Sequence, residues 1–577
     1  MNIHFKSKHI SKRIFNSHLR FFSNSTIPVV RNNNEKLRIA IVGAGASGMS
    51  TALHLAPLAK KGLIAMPIDI YEKSSPSDVH PHVLHPESGD EDFHPGSGHV
   101  GREVGIGIWS TALVPFLRKK SKTHLDLIKD LEEKGQYVGR VGYRTPSGNW
   151  LTRGKLNTSG LLMSQIDNVD KTHDPALLFI REKDFLSSLR NACKVEESNN
   201  GTIRIHTNTE VKDVALPDTA DKAFSGFLKF SDDNNVHSSD SYHLIISADG
   251  MKSFFRKNYA GYSNEWERKT GITEKLSQAW EEHVFEGMNV IEDRKYTVFR
   301  GNAPLSDTEA HMDGFSFQTW GEGKSMRFAA VGMSHPNSNK ESKRQEEQVW
   351  FATICDSETK GIKNADERKQ LLVKSFKNWH DPVASLIEST PSDEIYMERG
   401  VAHKHSTFPI FNLSHIIDYQ DQRRSSVSPG PILMFTGDAA MTVDPVLAQG
   451  FTVAMESAAD LAQTLDQCLS GDQDGIESIR SNVEDALLKR NQRRYERMLC
   501  LLRATELVQA ISQPSDTLSG IISNRILRPA MMIVPSFVKE TIFSYMIKYS
   551  LGLYGSQTLY SKGNSDITKA SQINSNQ

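Results

Sequence analysis

The chain has 577 residues, enough for two or three domains, with ordinary hydrophobic content and a formal net charge of −1, so no global field draws it to nucleic acid. Its four cysteines, Cys193, Cys355, Cys468 and Cys500, lack paired spacing, which argues against a disulfide framework and a zinc site. No uninterrupted apolar stretch reaches the length of a bilayer span.

The first 34 residues carry Lys6, Lys8, Lys12, Arg13, Arg20 and Arg31 and no acid before Glu35. Ile3, Ile10 and Ile14 share one helical face, and Arg20-Phe21-Phe22-Ser23 resembles a matrix-protease cleavage site. This composition predicts a mitochondrial presequence over 1–36; the alternative is a disordered basic tail on a cytoplasmic protein. Ile39 to Val42 then predict a buried parallel strand, and Gly43, Gly45 and Gly48 complete a G-x-G-x-x-G turn into a helix. In such a turn the first glycine makes the tight bend and the second lets the backbone approach a pyrophosphate. The third lets the helix pack on the strand, and the phosphates sit at the helix N-terminus beside Ala46 and Ser47. The next strand, Pro67 to Tyr71, ends at Glu72-Lys73, and an acid there can accept hydrogen bonds from both ribose hydroxyls of an adenosine. The motif alone does not decide between NAD and FAD.

Residues 74–100, rich in Pro, Gly, Ser, acids and His, read as a long surface loop; its histidines have no metal-ligand spacing. In the segment that follows, Gly105 and Gly107 let a backbone pass close to something. Residues 137–155 alternate like a hairpin around Pro146–Gly148, and Arg181 stands just before a helix, where it can reach a phosphate. Ile203 to Val214 and Phe227 to Ser231 read as strands. Tyr242 to Ser247 runs into Asp249-Gly250 and a helix. Four strand patterns between 296 and 354 predict an antiparallel sheet, followed by helices at 370–379 and from Pro382 toward Thr390.

The apolar run Pro431 to Phe435 predicts a buried strand that stops at Gly437-Asp438; a loop with Pro445, Gln449 and Gly450 then leads into a helix. This places an acidic side chain and free backbone N–H groups at one point, which suits a hydroxyl-rich, charged cofactor such as a flavin nucleotide. Residues 474–512 predict a strongly charged helix. The apolar stretch 526–554 is too interrupted to span a bilayer, so it reads as a helical cap on the core or a peripheral membrane contact. The tail after Gly555 reads as disordered.

Three ordered motifs now carry a resemblance: the glycine turn with Glu72; Asp249, Gly250, Ser253 and Arg256; and Gly437, Asp438, Ala439, Ala440 with Pro445, Gln449 and Gly450. From about Leu37 to Ser512 the chain resembles the FAD-dependent single-component monooxygenases, the aromatic hydroxylase family with a p-hydroxybenzoate-hydroxylase-like fold. It is most similar to the salicylate-hydroxylase and zeaxanthin-epoxidase branch. That family usually carries His after Ala-Ala and Gly before Gln-Gly, where this chain has Met441 and Ala448.

The resemblance implies an α/β chain with a discontinuous Rossmann-type FAD-binding domain, an inserted, mostly antiparallel substrate sheet and a C-terminal helical region. The FAD-binding parts are 37–136, 176–258 and 421–470. The substrate parts are 137–175 and 259–420, and helices over 471–555 precede a tail at 556–577. Asp438 would bind the ribityl chain, Pro445 and the Gln449-Gly450 backbone would line the ring, Arg181 would lie near the pyrophosphate, and Asp249 with Gly250 would brace that site. The implied reaction uses NADPH or NADH and dioxygen, through a flavin hydroperoxide, to hydroxylate or epoxidise an aromatic compound or alkene. Trp109, Phe317, Trp320 and Phe328 are the candidate substrate contacts; no catalytic acid or base and no metal ligand stands out, and the oligomeric state is not encoded in any motif. A halogenase, a reductase of isoprenoid or quinone-like double bonds, and a non-catalytic FAD-binding protein are the competing readings. The isolated tryptophans lack the W-x-W pair of a halogenase.

Overall fold

The computed structural model describes residues 36–74, 103–119, 121–156, 177–215, 225–230, 238, 240–258, 291–304, 315–334, 346–362, 364–403, 410–412, 430–470, 476–512, 522, 525–526 and 528–552. The segments predicted as a presequence, a histidine-bearing surface loop and a disordered C-terminal tail lie outside the described residues.

Two large sheets carry the architecture. The first has six strands in the order Ile410–Asn412, Ile432–Phe435, Leu244–Ser247, Ile39–Val42, Ile68–Tyr71 and Ile203–His206. All neighbours run parallel except the antiparallel edge strand Ile410–Asn412. Both faces are covered, so its strands are continuous apolar runs rather than alternating ones. Ile39, Ile41, Ile68, Ile70 and Met434 pack against the helices Ala46–Lys60, Glu182–Asn200 and Gly450–Leu469. Ala40, Val42, Ile245 and Phe435 face a second layer with Val214, Leu228 and Met498. The chain visits this sheet in three separate stretches, as the discontinuous Rossmann reading requires.

The predicted strand Ile203 to Val214 is a correction. It breaks after His206. Ile203–His206 closes the six-stranded sheet, whereas Asp213–Ala215 pairs with Phe227–Lys229 in a separate two-stranded ribbon. The polar run Thr207–Glu210 between them has no hydrophobic period to hold a ladder.

The second sheet has seven strands in the order Tyr396–His403, Ile291–Pro304, Glu346–Cys355, Arg327–Ser334, Phe315–Trp320, Arg140–Arg144 and Trp150–Lys155. Every pair is antiparallel but one, that of Phe315–Trp320 with Arg140–Arg144. Side chains alternate between its faces. Phe299, Phe317, Phe328 and Trp350 point outward into a core closed by the helices Ala365–Phe376 and Val383–Ser389. Val141, Tyr143, Trp320, Val331 and Val349 point inward, toward Trp109, Phe179 and the last helix, Ser536–Ser550. A three-stranded sheet, Gly105–Trp109, Leu177–Arg181 and Gln136–Val138, lies on this inner side.

The 37-residue helix Ile476–Ser512 buries a row of arginines against Gly450–Leu469. Arg490 and Arg494 are fully buried. Arg494 and Arg497 both hold Glu456, at 3.4 and 3.2 Å, and Arg490 and Arg493 both hold Asp460 at 3.3 Å. Arg497 also donates to the Gln449 side chain at 2.9 Å, while the Gln449 amide donates to Ser550. The polar seam therefore ties the start of Gly450–Leu469 to both C-terminal helices. Breaking a buried ion pair leaves an uncompensated charge and costs about 3–5 kcal/mol, whereas an exposed pair contributes about 0–1. Glu456→Gln is accordingly expected to lower the unfolding free energy in urea by several kcal/mol. Asp466→Asn, which removes the exposed pair with Lys61, is expected to change it by less than about 1 kcal/mol.

Candidate functional site

The register aligns Val42 with Ser247 and Ser247 with Phe435, so three strands end at one level. The turns that follow, at Gly43, Asp249 and Gly437, lie side by side along the carboxyl edge of the sheet. Backbone bonds lock them together: Gly43 N–H to Tyr71 O at 2.8 Å, Ala248 N–H to Val42 O at 2.8 Å, and Thr436 N–H to Ser247 O at 2.9 Å. In an open α/β sheet this edge is where ligands bind.

Two of the fingerprint glycines are required by the protein itself. A Cβ on Gly43, whose φ is +105°, would lie 2.4 Å from Ala248 O, and one on Gly48 would lie 1.9 Å from Gly43 O. Gly45 is different. Its φ of −73° suits any residue, and a Cβ there would meet no atom within 4 Å. Among the described residues nothing explains the absence of a side chain at this position. Gly45 is also the N-cap of Ala46–Lys60, a cap with no side-chain hydrogen bond and no acid in the first turn, which leaves the helix terminus suited to an anion. Glu72 closes the adjacent end. One oxygen accepts the Ala44 N–H at 2.8 Å and the other the Ser74 N–H at 3.0 Å; Lys73 is exposed beside it.

The late motif meets the early one directly. Ser47 Oγ donates to Thr436 Oγ1 at 3.3 Å across 389 residues of sequence. A Cβ on Gly437, at φ +59°, would sit 2.6 Å from Ser47 Cβ. The middle motif clamps both. Arg256 is buried and donates to the carbonyls of Ala439, at 3.0 Å, and Ala440. Asp249 accepts the Ser247 hydroxyl and the Phe254 N–H, so it stabilises its own turn, and Gly250 opens to free space at φ +81°.

Asp438 shows two properties that rarely coincide. Its surface is exposed to solvent, yet the protein surrounding it lifts its carboxyl to about 6. The carboxyl is thus open to solvent on one side and flanked by protein on the other.

The loop from Met441 to Gln449 follows and is held by four residues from outside it. Trp109 donates through Nε1 to Leu447 O at 3.3 Å, Arg327 to Val446 O at 3.1 Å, and Tyr296 to Asp444 Oδ1 at 2.7 Å. His403 accepts the Thr442 N–H on Nδ1 at 2.6 Å and returns its own backbone N–H to Thr442 O. Pro445 opens a single 3-10 turn, and Ala448 follows it in the left-handed region at φ +51°. The segment with Gly107 passes against Ala448, which a Cβ on Gly107 would approach to 3.3 Å. Gln449 and Gly450 begin the next helix, with the Gln449 side chain turned to Arg497 and Ser550.

Thus Gly43, Gly45, Ala46, Ser47, Gly48, Glu72, Asp249, Gly250, Gly437 and Asp438 come together along one edge, and Pro445, Gln449 and Gly450 continue from it. Arg181, at the end of Leu177–Arg181, forms an ion pair with Glu347 of the seven-stranded sheet. Of the four aromatic candidates, Trp109 and Trp320 lie on the inner face. Phe317 and Phe328 lie on the outer face, in the core with Trp350 and Phe376. Sequence reasoning passed over Tyr296, Arg327 and His403, which sit far from any motif. It also passed over Asp444, whose place before Pro445 inside the motif was a usable signal. Among the described residues no His, Cys, Asp or Glu cluster is placed to hold a metal ion.

Burial and the charge of Arg256 push the His403 imidazole down to about 3. The ring is neutral in the fold and protonates in the unfolded chain near its ordinary value of 6.5, so the stability it contributes is complete above pH 6.5 and drains away as pH falls. At pH 5 the loss is about 2 kcal/mol, from 1.36 kcal/mol per unit over about 1.5 units. His403→Asn keeps an acceptor for Thr442 and removes the titration. Urea unfolding at pH 7 and pH 5 should show a smaller acid loss in the variant; equal losses would contradict the assignment.

No family profile matches the chain. Aurachin C monooxygenase/isomerase of Stigmatella aurantiaca is 32% identical over 170 residues, a match that spans 30% of this chain and only 35% of that protein. HpxO of Klebsiella pneumoniae, solved with FAD and uric acid, superposes with a TM-score of 0.55 at 16% identity, covering 89% of this chain and 97% of HpxO. CtdE, solved with FAD and a substrate, superposes with a TM-score of 0.51 at 11% identity, covering 90% of this chain and all of CtdE. The chain therefore has the fold of these FAD-complexed proteins.

Proposed function

We propose that this chain is an FAD-dependent monooxygenase, with NADPH or NADH as electron donor and a small aromatic or unsaturated molecule as substrate. The observation that carries the reading is the cradle at Gly45: open space at a helix N-terminus, within reach of Ser47, which is itself in contact with the Gly437-Asp438 turn. A helix N-terminus beside an acidic turn suits a dinucleotide with a phosphate centre and a hydroxyl-rich arm. The match to a monooxygenase sequence and the superposition on FAD complexes support the same reading.

Each residue then has a task. The first-turn N–H groups of Ala46 and Ser47 hold the pyrophosphate at the positive end of the helix, and Gly45 leaves room for it. Glu72 accepts the ribose hydroxyls of the adenosine while it steadies the Gly43-Ala44 turn. Lys73 lies outside it. Asp438 accepts hydroxyls of the ribityl arm, and Gly437 and Gly250 keep the backbone close. Pro445, Gln449 and Gly450 shape the ring end. Arg181, held by Glu347, braces the dinucleotide unit against the substrate sheet. Bound FAD supplies redox and oxygen chemistry: NAD(P)H is oxidised, one oxygen atom of O2 enters the substrate and the other leaves as water. The chain's contribution is to close the ring end with Trp109, Arg327 and Tyr296 and to exclude water there.

Two features outside the site extend the proposal. The basic, acid-free opening segment supports a mitochondrial destination. Phe543 and Leu551 are buried against the sheet, whereas Ile533, Phe537, Ile542 and Tyr545 are exposed, which supports a peripheral membrane contact. Among the described residues no helix is long and apolar enough to cross a membrane.

Purified protein is expected to be yellow and to release FAD on denaturation. Asp438→Ala should retain at least tenfold less FAD, since a charge-assisted hydrogen bond contributes about 1.5–3 kcal/mol. Gly45→Val should lose FAD binding yet unfold at nearly the wild-type urea concentration, because a Cβ there meets no atom of the described residues within 4 Å. FAD retained at wild-type levels in both variants would refute the site.

A further inference from the structure

Among the described residues, six of the eleven exposed large apolar side chains fall between 522 and 545, so the exposure is gathered in one stretch rather than scattered. Ile533 is 83% exposed and Phe537 71%. Along Ser536–Ser550 the helical period puts Phe537, Ile542 and Tyr545 on one side and Phe543, Ile547 and Ser550 on the other, against the sheet. The buried side is pinned to the edge strand Trp150–Lys155. Lys539 Nζ donates to Leu151 O at 2.9 Å, and Phe543 packs where Gly154 has no side chain, a Cβ there coming within 2.9 Å of its ring.

The hairpin that contains this edge strand is cationic. It has no acid from 135 to 166 and carries Arg140, Arg144, Arg153 and Lys155. Arg140 and Arg153 are exposed, and Arg144 and Arg153 both rest on the Trp150 ring, 3.9 and 3.8 Å from its centroid. The helices add Arg525, Lys539 and Lys548 against a single acid, Glu540; Arg528 is spent inside, on the carbonyls of Trp320 and Ile511. An apolar helical stripe beside aromatic and cationic side chains suits the headgroup layer of a negatively charged bilayer. Against a second copy of the chain, the same face would set like charges opposite each other.

We propose that the two C-terminal helices and the edge hairpin form one docking face for a membrane rich in anionic lipid. Ile533, Phe537, Ile542 and Tyr545 enter between the headgroups, and Arg140, Arg153 and Lys548 meet the lipid phosphates. This rests on the peripheral membrane contact proposed above and deepens it, since the apolar residues alone select no lipid charge.

The test is co-sedimentation of the purified protein with vesicles of phosphatidylcholine alone and with vesicles in which about one-third is phosphatidylglycerol, an anionic share that gives a strongly negative surface. The wild type is expected to bind the anionic vesicles at least about tenfold tighter, with a preference that shrinks as salt is raised. Arg140→Gln with Arg153→Gln should reduce the preference severalfold, and Arg140→Lys with Arg153→Lys should keep most of it. Phe537→Asp and Ile533→Asp should each abolish binding, with FAD content and the urea unfolding midpoint unchanged, because both side chains are exposed; Phe537→Leu should retain it. Equal binding to the two vesicles overturns this inference alone, whereas binding to neither overturns the membrane contact beneath it. Binding that survives both aspartate variants, or a wild-type dimer in sedimentation velocity that Phe537→Asp splits, gives the face to something other than lipid and overturns the proposal.

Discussion

The contact of Ser47 with Thr436 and Gly437 is the constraint on which the rest of the molecule depends. It brings the first turn of the first helix against a turn 389 residues later, and only a backbone without a side chain at 437 can come so close. Three chain crossings of one parallel sheet are needed to make it, since Leu244–Ser247 sits between Ile39–Val42 and Ile432–Phe435 in the ladder. The middle strand contributes more than spacing. Its Arg256 reaches forward to the carbonyls of Ala439 and Ala440, so the turn that carries Asp438 is fixed from behind. Long-range pairing of this kind is slow to form and specific once formed.

The dinucleotide half was legible because its signals are local. Ile39 to Gly48 encodes a strand, a turn and a helix start within ten residues, and Gly43 and Gly48 answer distances at that turn whereas Gly45 leaves space beside it. The Gly437-Asp438 and Asp249-Gly250 turns are likewise marked by short local patterns. The substrate half was legible only as a strand pattern. Its face assignments depend on register, and one residue of offset moves a side chain to the other side of the sheet. That is why Phe317 lies in the outer core and Trp320, three residues on, lies inside. Tyr296, Arg327 and His403 reach the loop from separate strands of this sheet, and no short-range pattern marks them.

The substitutions beside the loop gain a physical setting. Where a histidine was expected after Ala439-Ala440, Met441 is buried, and His403 supplies an imidazole to the next residue from a different strand. Ala448 adopts the left-handed conformation usually left to glycine, at a cost of about 1–2 kcal/mol. That cost is borne by a loop anchored through Trp109, Arg327, Tyr296 and His403. The charged C-terminal helix, read from its sequence only as strongly charged, is a buried polar seam whose arginines reach Gln449, so the start of Gly450–Leu469 and the last helices form one packed unit.

The central claim is that two distant motifs grip opposite ends of one molecule. Calorimetric titration of FAD-free protein with FAD, ADP and FMN tests it most directly. The linked molecule should bind at least a hundredfold tighter than either half, because the second end binds at high effective concentration once the first is seated. ADP or FMN binding as tightly as FAD, or no binding of FAD to folded protein, would contradict the account.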